Sequence, residues 1–289
     1  MGIVRFSTVG EEVRAGFRVD DGITDLRTGY AEFVNGDPSR TESYLGRIDE
    51  LEEEILSNRP EDTIPLDDVT FHAPTIPRRL ICLEGCYEQD LVDSGIDSHF
   101  DEAGMFNKEW PSLWCAPESA YVGPSTEVRL PSSISVLVPG LELGLLINGG
   151  GKNLDRTDAS SSIAGYVIFA HLVSHDQVPR LEGHRMFDSA FQMGAEVVPR
   201  SSRDIGSLSL ALSIDGILVD KRTTSDWRFT PEEMVSEASH VMSLTDGDVI
   251  LTGDPTRVDR SVSDGDTLAA SSPGILGTGN QLVRDRGEA

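Results

Sequence analysis

The stretch SDWRFTPEEMVSEASHVMSLTDGDVILTGDP, Ser225 to Pro255, changes its periodicity half-way along. Its first half predicts a helix. Thr230 is placed to cap it, Pro231 takes the first helical position, where a missing N–H costs nothing, and Glu232 and Glu233 face the positive end of the helix dipole. Its second half, DGDVILTGDP, is a short apolar run held between Asp-Gly and Gly-Asp-Pro turns, the pattern of a buried strand. Working outward, the runs RLICLEG (79–85), ISVLVPGLELGLLI (134–147), IAGYVIFAHLVS (163–174) and LSLALSIDGILV (208–219) have the same texture, separated by Gly, Asp, Ser and Pro. The reading is an α+β, β-rich fold with few helices and no regular βαβ rhythm.

The N-terminal part differs. IVRFSTVGEEVRAGFRVDDGITDL alternates apolar and polar residues around turn signals at Val9-Gly10 and Asp20-Asp21-Gly22, as hairpins do. Residues 36–68 are acidic and polar. Within them TESYLGRIDELEEEILSN predicts a helix whose apolar face is Leu45, Ile48, Leu51 and Ile55. Pro74 and Pro77 make HAPTIPRR an extended link. Two parts are therefore expected: a small N-terminal β/α domain over residues 1–70 and a core domain over 78–283.

Composition narrows the function classes. A formal net charge of -25 and the absence of a basic stripe exclude a nucleic-acid partner, because a polyanion would be repelled. No apolar run approaches the roughly 20 residues that span a bilayer, so no membrane partner is expected. Cys82, Cys86 and Cys115 cannot all pair, and no signal-like segment opens the sequence, so the expected location is cytoplasmic. No second Cys or His pair closes a zinc site with Cys82 and Cys86, which read as buried thiols. The only lysines are Lys108, Lys152 and Lys221, which fits a GC-rich genome or a high-salt cytoplasm.

Four stretches, in order, resemble the fumarylacetoacetate hydrolase superfamily: PSLWCAPESAYVGPSTEVRLP, LELGLLINGGGKNL, GHRMFDSAFQMGAEVV and the 225–255 segment, whose ending and preceding Thr224–Asp226 are the most specific. With the N-terminal segment the resemblance covers nearly all of residues 1–283. It implies a mixed β-roll with a central sheet, a site at its mouth and a homodimer. It also implies a small-molecule substrate, an oxo-acid or a 1,3-dicarbonyl compound, that is cleaved, decarboxylated or isomerised. One fold hosts many chemistries, so function has to be read from the site.

Family members hold Mg²⁺ or Mn²⁺ with a Glu-x-Glu on one strand, since residues two apart share a face, and with an Asp on a later strand. The second Glu corresponds to Glu142, the first to Gly140, and the Asp position to Leu172. His171 is adjacent to Leu172 and is expected on the opposite face unless a bulge intervenes. His175 and Asp176 follow near the mouth, and His184 has no assigned role. A single carboxylate beside Gly and Leu is a poor host for an ion that wants about six oxygens, so no metal is expected, with Mg or Mn as the alternative. A lone carboxylate in a dry pocket takes up a proton or acquires a cationic partner. Arg185, at the position of a family lysine before Phe187-Asp188, is that candidate partner, or else a structural ion pair to Glu142 or Asp188.

In the family a His and a Glu on a lid act as a general-base dyad, preceded by a tyrosine. Here these are Asp90, Asp93 and Tyr87. Aspartate is a weaker base than histidine near neutrality, so a solvated acidic helix start is the competing reading. A further family lysine corresponds to Ala116. The loop after DVIL keeps Thr252 but brings Asp254, Thr256 and Arg257, the last as a cation at the mouth or an ordinary surface arginine. The catalytic expectation is thus Glu142, Arg185, Asp90 and Asp93. The substrate-binding expectation is Tyr87, Gly140, Leu172, Asp188, Thr252, Asp254 and Arg257. The chemistry expected is metal-free isomerisation, decarboxylation or cyclisation. The alternatives are hydrolysis with a displaced ion, or a non-catalytic dimeric scaffold.

Overall fold

A computed structural model describes residues 1–60, 62–87, 110–175, 185–256, 258 and 260–285. Its centre is one antiparallel pair, Leu137–Ile147 with Ile163–Ser174, in which nearly every residue is buried. These segments are long, apolar and rich in Leu, Ile and Val, as strands covered on both faces must be. The helix Arg156–Ser162 lies in the connection between them; Asp155 caps it by accepting from the N–H groups of Thr157 and Asp158. That short polar helix was not foreseen in the sequence reading.

The pairing begins as Ile147 opposite Ile163 and continues as Leu146 opposite Gly165. Ala164 is the extra residue, a β-bulge. Because side chains alternate strictly, one inserted residue exchanges the two faces of everything beyond it. Past the bulge, Glu142 stands opposite Phe169 and Gly140 opposite His171. Leu172 pairs with Pro139 and projects to the other side, its N–H donating to Ala190 O at 2.8 Å.

On one flank of the pair, Val249–Leu251 runs antiparallel to Leu137–Ile147 and parallel to Leu80–Glu84, which pairs with Ser112–Ala116. On the other, Glu196–Pro199 joins Ile163–Ser174 to Gly2–Ser7, followed by Arg14–Val19 and Gly22–Asp25. The N-terminal lobe is thus hydrogen-bonded onto the core sheet. Glu196, fully buried, ties the seam: it takes Arg18 Nε at 3.0 Å and Nη2 at 2.9 Å, and Leu276 N at 2.9 Å. A second, five-stranded sheet is built from Ile217–Thr223, Ser209–Ile214, Thr267–Ser271, Asn280–Arg284 and Val128–Leu130.

The two helices expected from sequence follow their signals. Thr41–Arg47 is a 3₁₀ turn leading into the α-helix Ile48–Ser57, with Leu45, Ile48, Leu51 and Ile55 buried. Pro231–Val241 begins in a full capping box: Thr230 Oγ1 accepts from Glu233 N, and Glu233 Oε2 accepts from Thr230 N at 2.8 Å. Among the described residues no helix is long and apolar enough to cross a membrane.

Candidate active site

Strand alternation brings Glu142 and His171 to one face of the central pair, and the loop after Val249–Leu251 brings Asp254 above them. Thr252 anchors that loop, its N–H and hydroxyl both donating to Leu143 O. Gly253 then turns the chain at φ +87, a left-handed conformation that favours glycine, with its missing Cβ 3.3 Å from Cys86. Asp254 emerges pointing back over Gly140.

The four side chains make a chain of alternating charge. His171 Nε2 lies 2.9 Å from Asp254 Oδ2, and its Nδ1 lies 3.0 Å from Glu142 Oε1, off the line of an ideal hydrogen bond. Arg185 Nη1 donates to the same Glu142 Oε1 at 3.3 Å. Glu142 and His171 side chains are fully buried, while Arg185 and Asp254 keep 12% and 16% exposure, so approach from solvent is over those two. Glu142 Oε2 is buried and has no hydrogen-bond partner among the described residues.

A neutral imidazole has one N–H and would aim its bare nitrogen at a carboxylate lone pair; between two carboxylates the imidazolium is the form that fits. Burial works against that charge, but Asp254 foremost and then Glu142 hold the His171 proton more tightly than in an ordinary histidine, against opposition from Arg185. Burial alone would raise Asp254. His171, Arg185 and the hydroxyl of Thr256 more than reverse this and bring it to about 2. Burial likewise opposes the Arg185 charge, and Glu142, Asp254 and Glu84 keep it protonated.

Gly140 makes the cluster possible. A Cβ at that position would stand 2.2 Å from His171 Nε2 and 2.5 Å from Asp254 Oδ2, well inside contact distance. The space that a side chain at position 140 would take is therefore filled by the imidazole and the aspartate. The described residues do not fit Mg²⁺ or Mn²⁺. The ion would lie beside an imidazolium and a guanidinium; at an effective dielectric near 20 and roughly 4 Å, each would repel a divalent charge by about 8 kcal/mol. Among the described residues no group of three or more His, Cys, Asp or Glu is arranged to hold a metal ion.

Of the residues singled out from sequence, Glu142, Arg185, Gly140 and Asp254 come together, and Thr252 supports them. Tyr87 packs beside this loop against Trp227, ring centroids 6.4 Å apart, and burial holds its phenol protonated. Leu172 is a correction: the bulge at Ala164 turns it away, and His171 takes the position facing Glu142. Asp188 is exposed and outside the buried cluster, and His175 is exposed, its N–H donating to Val136 O. Asp90, Asp93, Asp176, His184 and Arg257 lie outside the described residues. His171 was expected on the opposite face, without a part in the site. The signal that would have found it is the bulge, which depends on how residues 148–162 return the chain.

Residues 80–283 match the sequence profile of the fumarylacetoacetate (FAA) hydrolase C-terminal domain. The chain belongs to the fumarylacetoacetate hydrolase family. Among family relatives, the human mitochondrial oxaloacetate tautomerase FAHD2B is 29% identical over 202 residues, 68% of this chain. The chain spans only 62% of the length of that relative. The maleylpyruvate hydrolase of Sphingobium sp. SYK-6 superposes with a TM-score of 0.77 at 22% identity, covering 99% of this chain and 100% of that one; its structure with manganese(II) and pyruvate gives 0.76. The 2-hydroxyhepta-2,4-diene-1,7-dioate isomerase of Mycobacterium marinum gives 0.74 at 22% identity, over 99% and 100% of the two chains. These likenesses establish the fold of the family member described here, α+β and rich in strands.

Proposed function

We propose that this family member is an enzyme that moves a proton on a small oxo-acid or its enol, an isomerase or tautomerase, and that it does so without a divalent cation. The observation that carries the reading is Glu142: one oxygen is shared by His171 and Arg185, and the other is buried with no partner among the described residues. A buried acceptor left open beside two cations suits a substrate that delivers a proton and develops negative charge. Glu142 Oε2 takes the proton from the carbon next to the substrate carbonyl. The electron pair moves onto the carbonyl oxygen, and the resulting enolate is stabilised by the Arg185 guanidinium, which stays charged throughout. Return of the proton to oxygen releases the enol; the reverse order gives the keto form. The Arg185 hydrogen bond and the neighbouring His171 ring keep Oε1 occupied, so that Oε2 is the oxygen that exchanges the proton. Relatives whose names include oxaloacetate tautomerase and a dienoate isomerase support the same class of chemistry. The family resemblance adds a homodimer, which sedimentation velocity would distinguish from a 31.4 kDa monomer.

The test follows the decay of the enol absorbance of oxaloacetate and of acylpyruvates in chelator-treated buffer. The parent should accelerate decay, and Glu142→Gln should lose about 10²–10⁴-fold in kcat/KM, the span of a general acid–base residue. Turnover that appears only when Mn²⁺ is added, or a folded Glu142→Gln protein with parental activity, would overturn the reading. Release of a cleaved fragment instead of the tautomer would point to the hydrolase alternative.

A further inference from the structure

We infer that His171, seated in the notch left by Gly140 and held there by Asp254, occupies the place of a divalent cation in this site, so that Mg²⁺ and Mn²⁺ are excluded and the ligand is a carboxylate-bearing anion received by Arg185. The identity of the ligand rests on the oxo-acid reading; the exclusion of the ion does not.

Three observations carry it. The imidazole stands between two carboxylates, 3.0 Å from Glu142 Oε1 and hydrogen-bonded at 2.9 Å to Asp254 Oδ2, and so takes up the space between the oxygens an ion would need. Its ring is also fixed by tilted packing on Phe191, centroids 5.9 Å apart, so it cannot swing aside without losing the core behind it. The side-chain position closest to it, residue 140, has no atom beyond Cα, and none could be added without collision. Hard divalent ions require several oxygens in a near-regular shell. Here one carboxylate of the pair is engaged by Arg185, and the other by His171 and the Thr256 N–H. Asp254 is a positioning residue in this account: it touches His171, and it acts on the ligand through His171.

The ion and the ligand are read separately. Chelator-stripped parent is titrated with Mn²⁺ alone while the electron paramagnetic resonance signal of free Mn²⁺ is recorded, and pyruvate binding is measured by nuclear magnetic resonance in excess EDTA. The parent should leave Mn²⁺ free at millimolar concentration, and the double variant Gly140→Glu/His171→Asp, which restores two carboxylates and removes the ring, should sequester about one ion per chain. In EDTA, His171→Gln and Asp254→Asn should each weaken pyruvate binding about tenfold, with the combined His171→Gln/Asp254→Asn variant no weaker than either single one, as expected for residues acting as a unit. One Mn²⁺ bound per parent chain and lost in Glu142→Gln would overturn the inference, and this holds even if the double variant does not fold. Parental pyruvate affinity in both single variants would overturn the positioning role. A parent that leaves Mn²⁺ free and also fails to bind pyruvate would sink the oxo-acid reading while supporting the exclusion of the ion.

Discussion

Asp254 carries the acid-side signature of the site. Its carboxyl is held at about 2 in the folded chain, below the roughly 3.9 of an unfolded aspartate. A depressed carboxylate stabilises the fold above the unfolded value and loses that contribution as pH falls through the folded one, so the relevant window runs from about pH 4 down to about 2. Asp254→Asn should remove about 2 kcal/mol of stability at neutral pH, and its unfolding midpoint should fall less steeply than the parent's across that window. A variant with the parental acid slope would contradict the assignment. His171, whose proton is held more tightly in the fold, has the opposite sign: its contribution is full below its unfolded value and is lost as pH rises above its folded one. Glu142 was legible because a charge in an apolar strand is visible in one dimension, and Gly140 and Arg185 were added to it through the family resemblance. Their fourth partner was not. Whether residue 171 or 172 faces Glu142 turns on one extra residue at Ala164, and a bulge leaves no mark in a run that is apolar throughout. Gly140 also orders the possible replacements: any side chain there collides with the present ring, so position 140 has to be emptied before a histidine can enter at 171.

Among the elements, those with strong local punctuation were read directly. Thr230-Pro231 with Glu233 three positions after the cap announces Pro231–Val241, and Leu45, Ile48, Leu51 and Ile55 announce the buried stripe of Ile48–Ser57. Arg156–Ser162 was missed because six polar residues and one alanine show no apolar stripe; its formation depends on the Asp155 cap and on packing against Pro231–Val241. The seam between Gly2–Ser7 and Glu196–Pro199 was also invisible, since strand pairing across nearly the whole chain has no local signal. That seam is testable. Glu196 is fully buried and answers Arg18, so Glu196→Ala should leave Arg18 without its partner in a buried place and cost about 3–5 kcal/mol. The measurement is chemical denaturation of parent and variant. A loss below about 1 kcal/mol, the range of an exposed pair, would show that the seam does not depend on this contact.

For the molecule as a whole, 49 acidic residues against 24 basic ones make self-repulsion a term comparable with the small margin of stability. Salt shortens the reach of exposed charges from about 30 Å at 0.01 M to about 3 Å at 1 M. The thermal midpoint should therefore rise by several degrees between low-salt buffer and molar KCl. A flat or falling midpoint would show that the surface charge is already balanced locally. The continuity of the main sheet bears on how such a protein can be divided. The family profile begins at residue 80, yet a piece cut there would present the outer edge of Glu196–Pro199 bare, with a buried glutamate now facing water and no arginine to meet it. The N-terminal lobe is accordingly not an interchangeable module: exchange between relatives would succeed only where both sides of that seam travel together.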